Sequence, residues 1–250
     1  MDKTFNNYYI CIIDIMGQKS FFDSIRSPNV SDEVSANIKR VSDGLREMVE
    51  YVVNRYTRIF KEEDDVGVEL FSDSIILSLK ANDNSQIRFA TWLEIIIKVI
   101  FIACRYQLPF RGSLVKGVAQ RSTSGKIYGD GVVEAMKLEQ TMADSFRIIL
   151  SNTLAYELDS DEKFDDEKYL EYDIDSEVVL NYAGPKILSM IEFEKEKHQI
   201  KNIYDWVSGQ FEYYCYRGVE NHDNHANPKL ARRFKIWQNY LKLEVLKTYS

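Results

Sequence analysis

From Tyr8 to Ile13 the chain runs Tyr-Tyr-Ile-Cys-Ile-Ile without a polar break, and then stops on Asp14. A run with no alternation cannot turn one face to water. It fits a strand covered on both sides, which puts a sheet at the centre of the fold with helices packed against it. A second apolar stretch ends the same way. Val66 to Phe71 leads into Ser72-Asp73-Ser74 and then a further run from Ile75 to Leu79. Two strands joined so tightly form a hairpin with Asp73 at its tip.

Around these strands the apolar period lengthens to that of helices. Val34, Ile38, Val41, Leu45, Met48, Val52, Tyr56 and Ile59 recur at steps of three and four. They predict a helix from about Ser31, its N-cap, with Asp32 and Glu33 in the first turn. The acidic run Glu62-Glu63-Asp64-Asp65 ends it. A second helix is predicted over about Ser85 to Tyr106, closed by Pro109. Its segment from Ile95 to Cys104 is the most apolar in the chain but contains Lys98 and falls short of the about 20 residues a bilayer requires. It is read as buried, either in the chain's own core or between two copies. A strand from Arg111 to about Ala119, a short Ile127-Tyr128-Gly129 segment, a helix from about Gly131 to Ala143 and a strand at Arg147 to Leu150 follow.

The order β-α-β-β-α-β, then α-β, predicts an α+β protein with a ferredoxin-like core. Beyond Leu150, the acidic stretch from Asp159 to Glu167 is expected to be an exposed loop. Tyr172-Asp173 and Val178 to Leu180 suggest a small hairpin, and Pro185 onward is expected to be helical, with a break near Asn221 to Pro228. Residues 1–183 are taken as the core, with the candidate site in 1–150, and 184–250 as a helical C-terminal extension packed on the same domain.

A net charge of −7 argues against a nucleic-acid partner, which demands a basic face. It leaves room for a nucleotide whose phosphates are neutralised by metal ions. Cys11, Cys104 and Cys215 each lie in an apolar or aromatic stretch, as reduced thiols of a cytoplasmic protein would. No secretion signal or membrane span is expected.

Asp14 falls at the carboxyl end of a central strand, where open α/β sheets place their ligands. The loop from Ile15 to Ser20 offers backbone N–H groups to phosphates, Gly17 permits close approach, and Lys19 supplies a countercharge. Read singly, Asp14 could merely cap a helix and Asp73 merely serve its turn. The pair says more. In a β-α-β-β unit the first strand lies beside the hairpin, so both carboxylates reach one edge, where they repel unless a cation sits between them. Paired divalent cations are the usual equipment for chemistry at phosphorus. Arg111 could reach a phosphate or pair with a nearby carboxylate.

Weaker signals lie towards the C-terminus. His222 and His225 with Cys215 hint at a metal site but lack a fourth ligand. Phe211, Tyr213, Tyr214 and Tyr216 could stack a base or simply pack, and Arg232-Arg233 with Lys235 fit an exposed helix face.

Asp14-Ile15-Met16-Gly17, the hairpin Asp73, and Gly129 followed by Ala135 resemble the class III nucleotide cyclases over roughly the first 150 residues. The resemblance implies a class III cyclase core in which Asp14, Asp73 and the backbone carbonyl of Ile15 bind two Mg2+ or Mn2+ ions. It implies that two chains form a head-to-tail homodimer with shared active sites, and Met16, Gly17, Gln18 and Lys19 of the loop after Asp14 are the residues expected to cradle the triphosphate. This chain departs from the purine-reading pattern. Glu69 stands four residues before the hairpin aspartate, Lys126 three before Gly129, and Val133 and Lys137 fall where an Asn and an Arg are usual. Lys137 keeps the charge but loses the guanidinium fork.

With these departures, Tyr128-Gly129, Ala135 and Leu138-Glu139 resemble the bacterial pyrimidine cyclases of the Pycsar antiphage systems. That resemblance implies UTP, or else CTP, as substrate. The cyclic monophosphate would then act as a messenger to a separate effector. A bulky residue such as Tyr51 or Phe71 would close the smaller base pocket. Three other readings remain: a purine cyclase in which Glu69 contacts guanine, a degenerate fold that binds nucleotide or dimerises without turnover, and an unrelated α+β domain in which both aspartates are structural.

Overall fold

A computed structural model describes residues 5–15, 32–60, 66–71, 73–81, 86–122, 125–143, 146–173, 175–190, 202, 204–210, 212, 231–232, 234–235 and 238–239. The elements are β1 (Asn6–Ile15), α1 (Asp32–Ile59), β2 (Val66–Phe71), β3 (Ser74–Lys80), α2 (Gln86–Arg105), β4 (Phe110–Arg121), β5 (Ile127–Tyr128) and α3 (Asp130–Thr141). They are followed by β6 (Ile148–Leu150), α4 (Asn152–Asp159), α5 (Asp166–Tyr169), β7 (Leu170–Tyr172), β8 (Val178–Leu180) and α6 (Pro185–Leu188). The expected ferredoxin-like order is present. The eight-stranded sheet runs β2-β3-β1-β4-β6-β8-β7, with β5 hydrogen-bonded to the end of β4 off that path.

The unbroken apolar run has the physical consequence it demands. β1 is flanked by antiparallel partners on both edges, β3 and β4, and its two faces enter two separate cores. Tyr9, Cys11, Ile13 and Ile15 join the larger core with α1 and α2. Tyr8, Ile10 and Ile12 join the smaller one with Val132 and Ala135 of α3. The apolar residues of the segment from Ile95 to Cys104 are all buried in the larger core. Inside that core the Trp92 indole donates a 2.8 Å hydrogen bond to the Tyr56 hydroxyl, joining α2 to α1. The Cys11 thiol is fully buried, and burial pushes it far above its ordinary value.

Two glycine contacts bring α3 down onto the sheet. Gly129, at φ 140°, lies where side chains are rarely tolerated, and a Cβ there would stand 2.8 Å from the Val118 carbonyl oxygen. Gly117 of β4 faces Gly131 of α3 so closely that a Cβ on Gly117 would lie 2.6 Å from the Gly131 Cα. The first turn of α3 therefore rests directly on β4.

Past β6 the structure differs from the sequence expectation in one respect. The acidic stretch is not simply an exposed loop. It follows α4, which is capped by Ser151, whose hydroxyl accepts from the Leu154 N–H, and although mostly exposed it buries Phe164 against Phe89 and Tyr169. Leu154, Ala155 and Leu158 supply the buried face of α4. The density of acids hid this short amphipathic pattern. The small hairpin is present as β7 and β8, and Ile149 of β6 pairs with Val179, so it extends the main sheet. Residues 204–210 are helical, and Val207 and Phe234 belong to the larger core, with Phe234 against the Phe146 ring.

Candidate active site

β1 and β3 are paired so that Asp14 lies opposite Ser74, which places Asp73 one residue beyond the Asp14 rung. The Ile15 N–H donates to the Asp73 carbonyl oxygen at 3.0 Å, locking the hairpin tip against the end of β1. The Ser74 hydroxyl donates to Asp14 Oδ1 at 3.1 Å. Register thus brings the two aspartates, far apart in sequence, to one edge.

Alternation assigns Asp14 to the face of Tyr8, Ile10 and Ile12, beneath α3. On the neighbouring strand β4, Arg111 lies directly across from Asp14. Its Nε–H donates to Asp14 Oδ2 at 3.1 Å. The same Nε stands 2.5 Å from Glu139 Oε1, on the last turns of α3. That second contact is an ion pair only: the N–H is aimed at Asp14, and the buried Glu139 Oε1 accepts no hydrogen bond. One guanidinium nitrogen thus serves two carboxylates.

Glu139 is 5% exposed. Burial pushes its carboxyl above the ordinary value, Arg111 pulls it back, and Asp14 and Asp73 push it up again. Three carboxylates therefore feel one another around a single arginine. The Ser113 hydroxyl, next along β4 on the same face, donates to the Ala135 carbonyl at 2.7 Å and ties α3 to the sheet one turn before Glu139.

Glu139 lay outside the candidate set, although a signal was present. Gly131, Val132, Ala135 and Glu139 are the buried positions of α3, so a glutamate occupies the apolar stripe of an amphipathic helix.

The other candidates are dispersed. The Glu69 carboxylate accepts from the Ile127 N–H and so holds β5 against β2. Phe71 is 65% exposed at the end of β2. Tyr51 packs against the α1–α2 core, on the face of the sheet away from Asp14. Lys137 is exposed on α3, as is Val133 at 64%. Met16, Gly17, Gln18 and Lys19 lie outside the described residues, as do His222, His225, Cys215 and the aromatic cluster from Phe211 to Tyr216. Arg232 and Lys235 are exposed.

Asp14 and Asp73 offer oxygen donors, suited to a hard divalent cation. They fit such an ion chemically, with the orphaned Glu139 oxygen adding negative charge nearby. Among the described residues no group of three or more His, Cys, Asp or Glu side chains is arranged to hold a metal ion, and Arg111 stands at Asp14. Among the same residues, no helix is long and apolar enough to cross a membrane.

No protein-family profile matches the chain, and no curated protein matches its sequence. Solved structures do. The guanylyl cyclase Cya2 is similar at 14% identity and a TM-score of 0.42, over 62% of this chain and 80% of that one. The monomeric guanylyl cyclase domain of the RhoGC fusion protein from the aquatic fungus Blastocladiella emersonii is similar at 13% identity and a TM-score of 0.46, over 72% of this chain and 96% of that one. A bacterial light-regulated adenylyl cyclase is similar at 12% identity and a TM-score of 0.43, over 73% of this chain and 53% of that one.

Proposed function

We propose that this protein is a nucleotide cyclase that converts a pyrimidine triphosphate, UTP in preference to CTP, into its 3′,5′-cyclic monophosphate and pyrophosphate. The single observation that carries this reading is the meeting of Asp14 and Asp73 at one end of β1 and β3. In the reaction the ribose 3′-oxygen bonds to the α-phosphorus, the bond to pyrophosphate breaks, and the hydroxyl proton departs. Asp14, Asp73 and the Ile15 carbonyl would hold two Mg2+ or Mn2+ ions, which lend Lewis acidity to such a displacement. Met16, Gly17, Gln18 and Lys19 would bind the triphosphate, and Arg111 stands close enough to Asp14 to share in neutralising it.

Residues 1–183 serve as the catalytic core in this proposal, with 184–250 as an extension on it. The exposed Lys137 is assigned to the transition state of a site shared with a second copy, in a head-to-tail homodimer. The base pocket is assigned to Glu69 with a bulky residue such as Phe71 or Tyr51 to close it. Any base-reading role for Glu69, toward a pyrimidine or a guanine, would require it to release the Ile127 N–H. The product would serve as a messenger to a separate effector in antiphage defence.

A second reading, nucleotide binding without turnover, is favoured by one observation: Arg111 already occupies Asp14. Incubation of the purified protein with each of the four NTPs and Mn2+, followed by chromatography, separates these readings. Cyclic UMP or cyclic CMP is expected, and its loss in Asp14→Ala and Asp73→Ala. A cyclic purine nucleotide as sole product, or unchanged turnover in either variant, refutes the pyrimidine two-metal reading. Binding without pyrophosphate release supports the second.

A further inference from the structure

We propose that Glu139 is a positioning residue that holds Arg111 when a divalent cation takes Asp14 away from it. The inference rests on the two-aspartate site and adds to it a residue from α3. Arg111 Nε has one N–H, and that N–H is given to Asp14 at 3.1 Å. Glu139 Oε1, 2.5 Å from the same nitrogen, accepts no hydrogen bond although it is buried. A buried carboxylate left in that condition is costly unless it has a use for the donor beside it. A small turn of the guanidinium would transfer the N–H from Asp14 to Glu139.

That transfer solves a problem the site otherwise has. A cation at Asp14 competes with Arg111 for that carboxylate, and a partly buried guanidinium stripped of its anion is strongly disfavoured. With Glu139 already in contact, Arg111 keeps an anionic partner throughout. The glycine contact between Gly117 and Gly131 and the Ser113 bond to Ala135 hold α3 at the depth this requires. Asp14 is thus occupied by an internal cation before metal arrives, and Glu139 makes the exchange favourable.

The test is a double-mutant cycle read by Mn2+ binding to the nucleotide-free protein, using Mn2+ alone as the probe and calorimetry as the measurement. Wild type, Glu139→Gln, Arg111→Gln and the Arg111→Gln/Glu139→Gln double variant are compared, with Asp73→Asn as control. Glu139→Gln is expected to raise the Mn2+ Kd about fivefold when Arg111 is present and less than about twofold when it is not. An equal effect in both backgrounds would mean that Glu139 acts as a plain charge or a direct ligand, and would overturn the proposal. No effect with Arg111 present would do the same. If Asp73→Asn binds Mn2+ as wild type does, the two-aspartate reading itself falls and this proposal with it, an outcome the control keeps distinct. Should Glu139→Gln not fold, Glu139→Asp, which keeps the charge and shortens the reach, carries the same comparison.

Discussion

Arg111 and Arg147 are both partly buried and set among carboxylates, and they are built differently. Arg147, at the start of β6, has both terminal nitrogens fully employed. Nη1 donates to Asp173 at 2.5 Å and to Asp175 at 2.8 Å, while Nη2 donates to Asp175 at 2.7 Å and to the Met142 carbonyl at 3.1 Å. Burial alone would lower the Arg147 guanidinium, but these bonds hold it above its ordinary value. Arg111 instead divides a single nitrogen between Asp14 and Glu139, with Asp73 adding a third negative charge nearby. The first cluster staples the segment between β7 and β8 to β6. The second holds more negative charge than its arginine can satisfy. The Arg147 Nε is itself buried without a hydrogen-bond partner, so the difference lies in the terminal nitrogens: a guanidinium bonded through them to its carboxylates secures a fold, whereas one shared among three carboxylates is poised to release one of them to another charge.

The largest effect that sharpens this contrast is on turnover. Asp14→Ala or Asp73→Ala should lower cyclic nucleotide production at least about a thousandfold, measured by product chromatography, because several kcal/mol of transition-state stabilisation is lost. Asp14→Asn should at the same time melt no lower than wild type, since it relieves the surplus negative charge. A clear loss of stability in Asp14→Asn would break the comparison. Next in size, Arg147→Ala should cost about 2–3 kcal/mol in urea unfolding, because it strands Asp173 in a partly buried position.

A smaller, pH-dependent effect belongs to Asp175. Its bonds to Arg147 hold the carboxyl below the usual value of 3.8. A depressed carboxylate contributes stability that is complete above its unfolded value and lost as pH falls through the folded one. The gap in Tm between wild type and Asp175→Asn should therefore be widest at neutral pH and close as the solution is acidified below 3.8. The smallest effect sets the scale. Lys186 also faces two carboxylates, Asp165 and Glu167, but in full solvent. Lys186→Ala should leave the unfolding midpoint unmoved within error, since exposed pairs gain little from one another.

Much of this architecture is written in short-range pattern. The absence of alternation in Tyr8 to Ile13 forces a two-sided strand, and steps of three and four define α1. The Ser-Asp-Ser tip locates the hairpin, so the approach of Asp14 to Asp73 follows from strand order. α4 was less legible, because its Ser151 cap and its Leu154, Ala155 and Leu158 face sit beside a dense acidic stretch. The placement of Glu69 on the Ile127 N–H was not legible at all, since it joins residues 58 apart in sequence.

The sequence by itself therefore determined the elements from β1 to β6 and the two aspartates, because hydrophobic period and turn chemistry act over a few neighbouring residues. Only the tertiary structure decided that Arg111 would stand between Asp14 and Glu139. That contact depends on the β1–β4 register, on alternation that sends Asp14 towards α3, and on a glycine-to-glycine approach that sets the height of the helix. Each is a relation between distant segments, fixed by packing the sheet as a whole, and no local pattern encodes it.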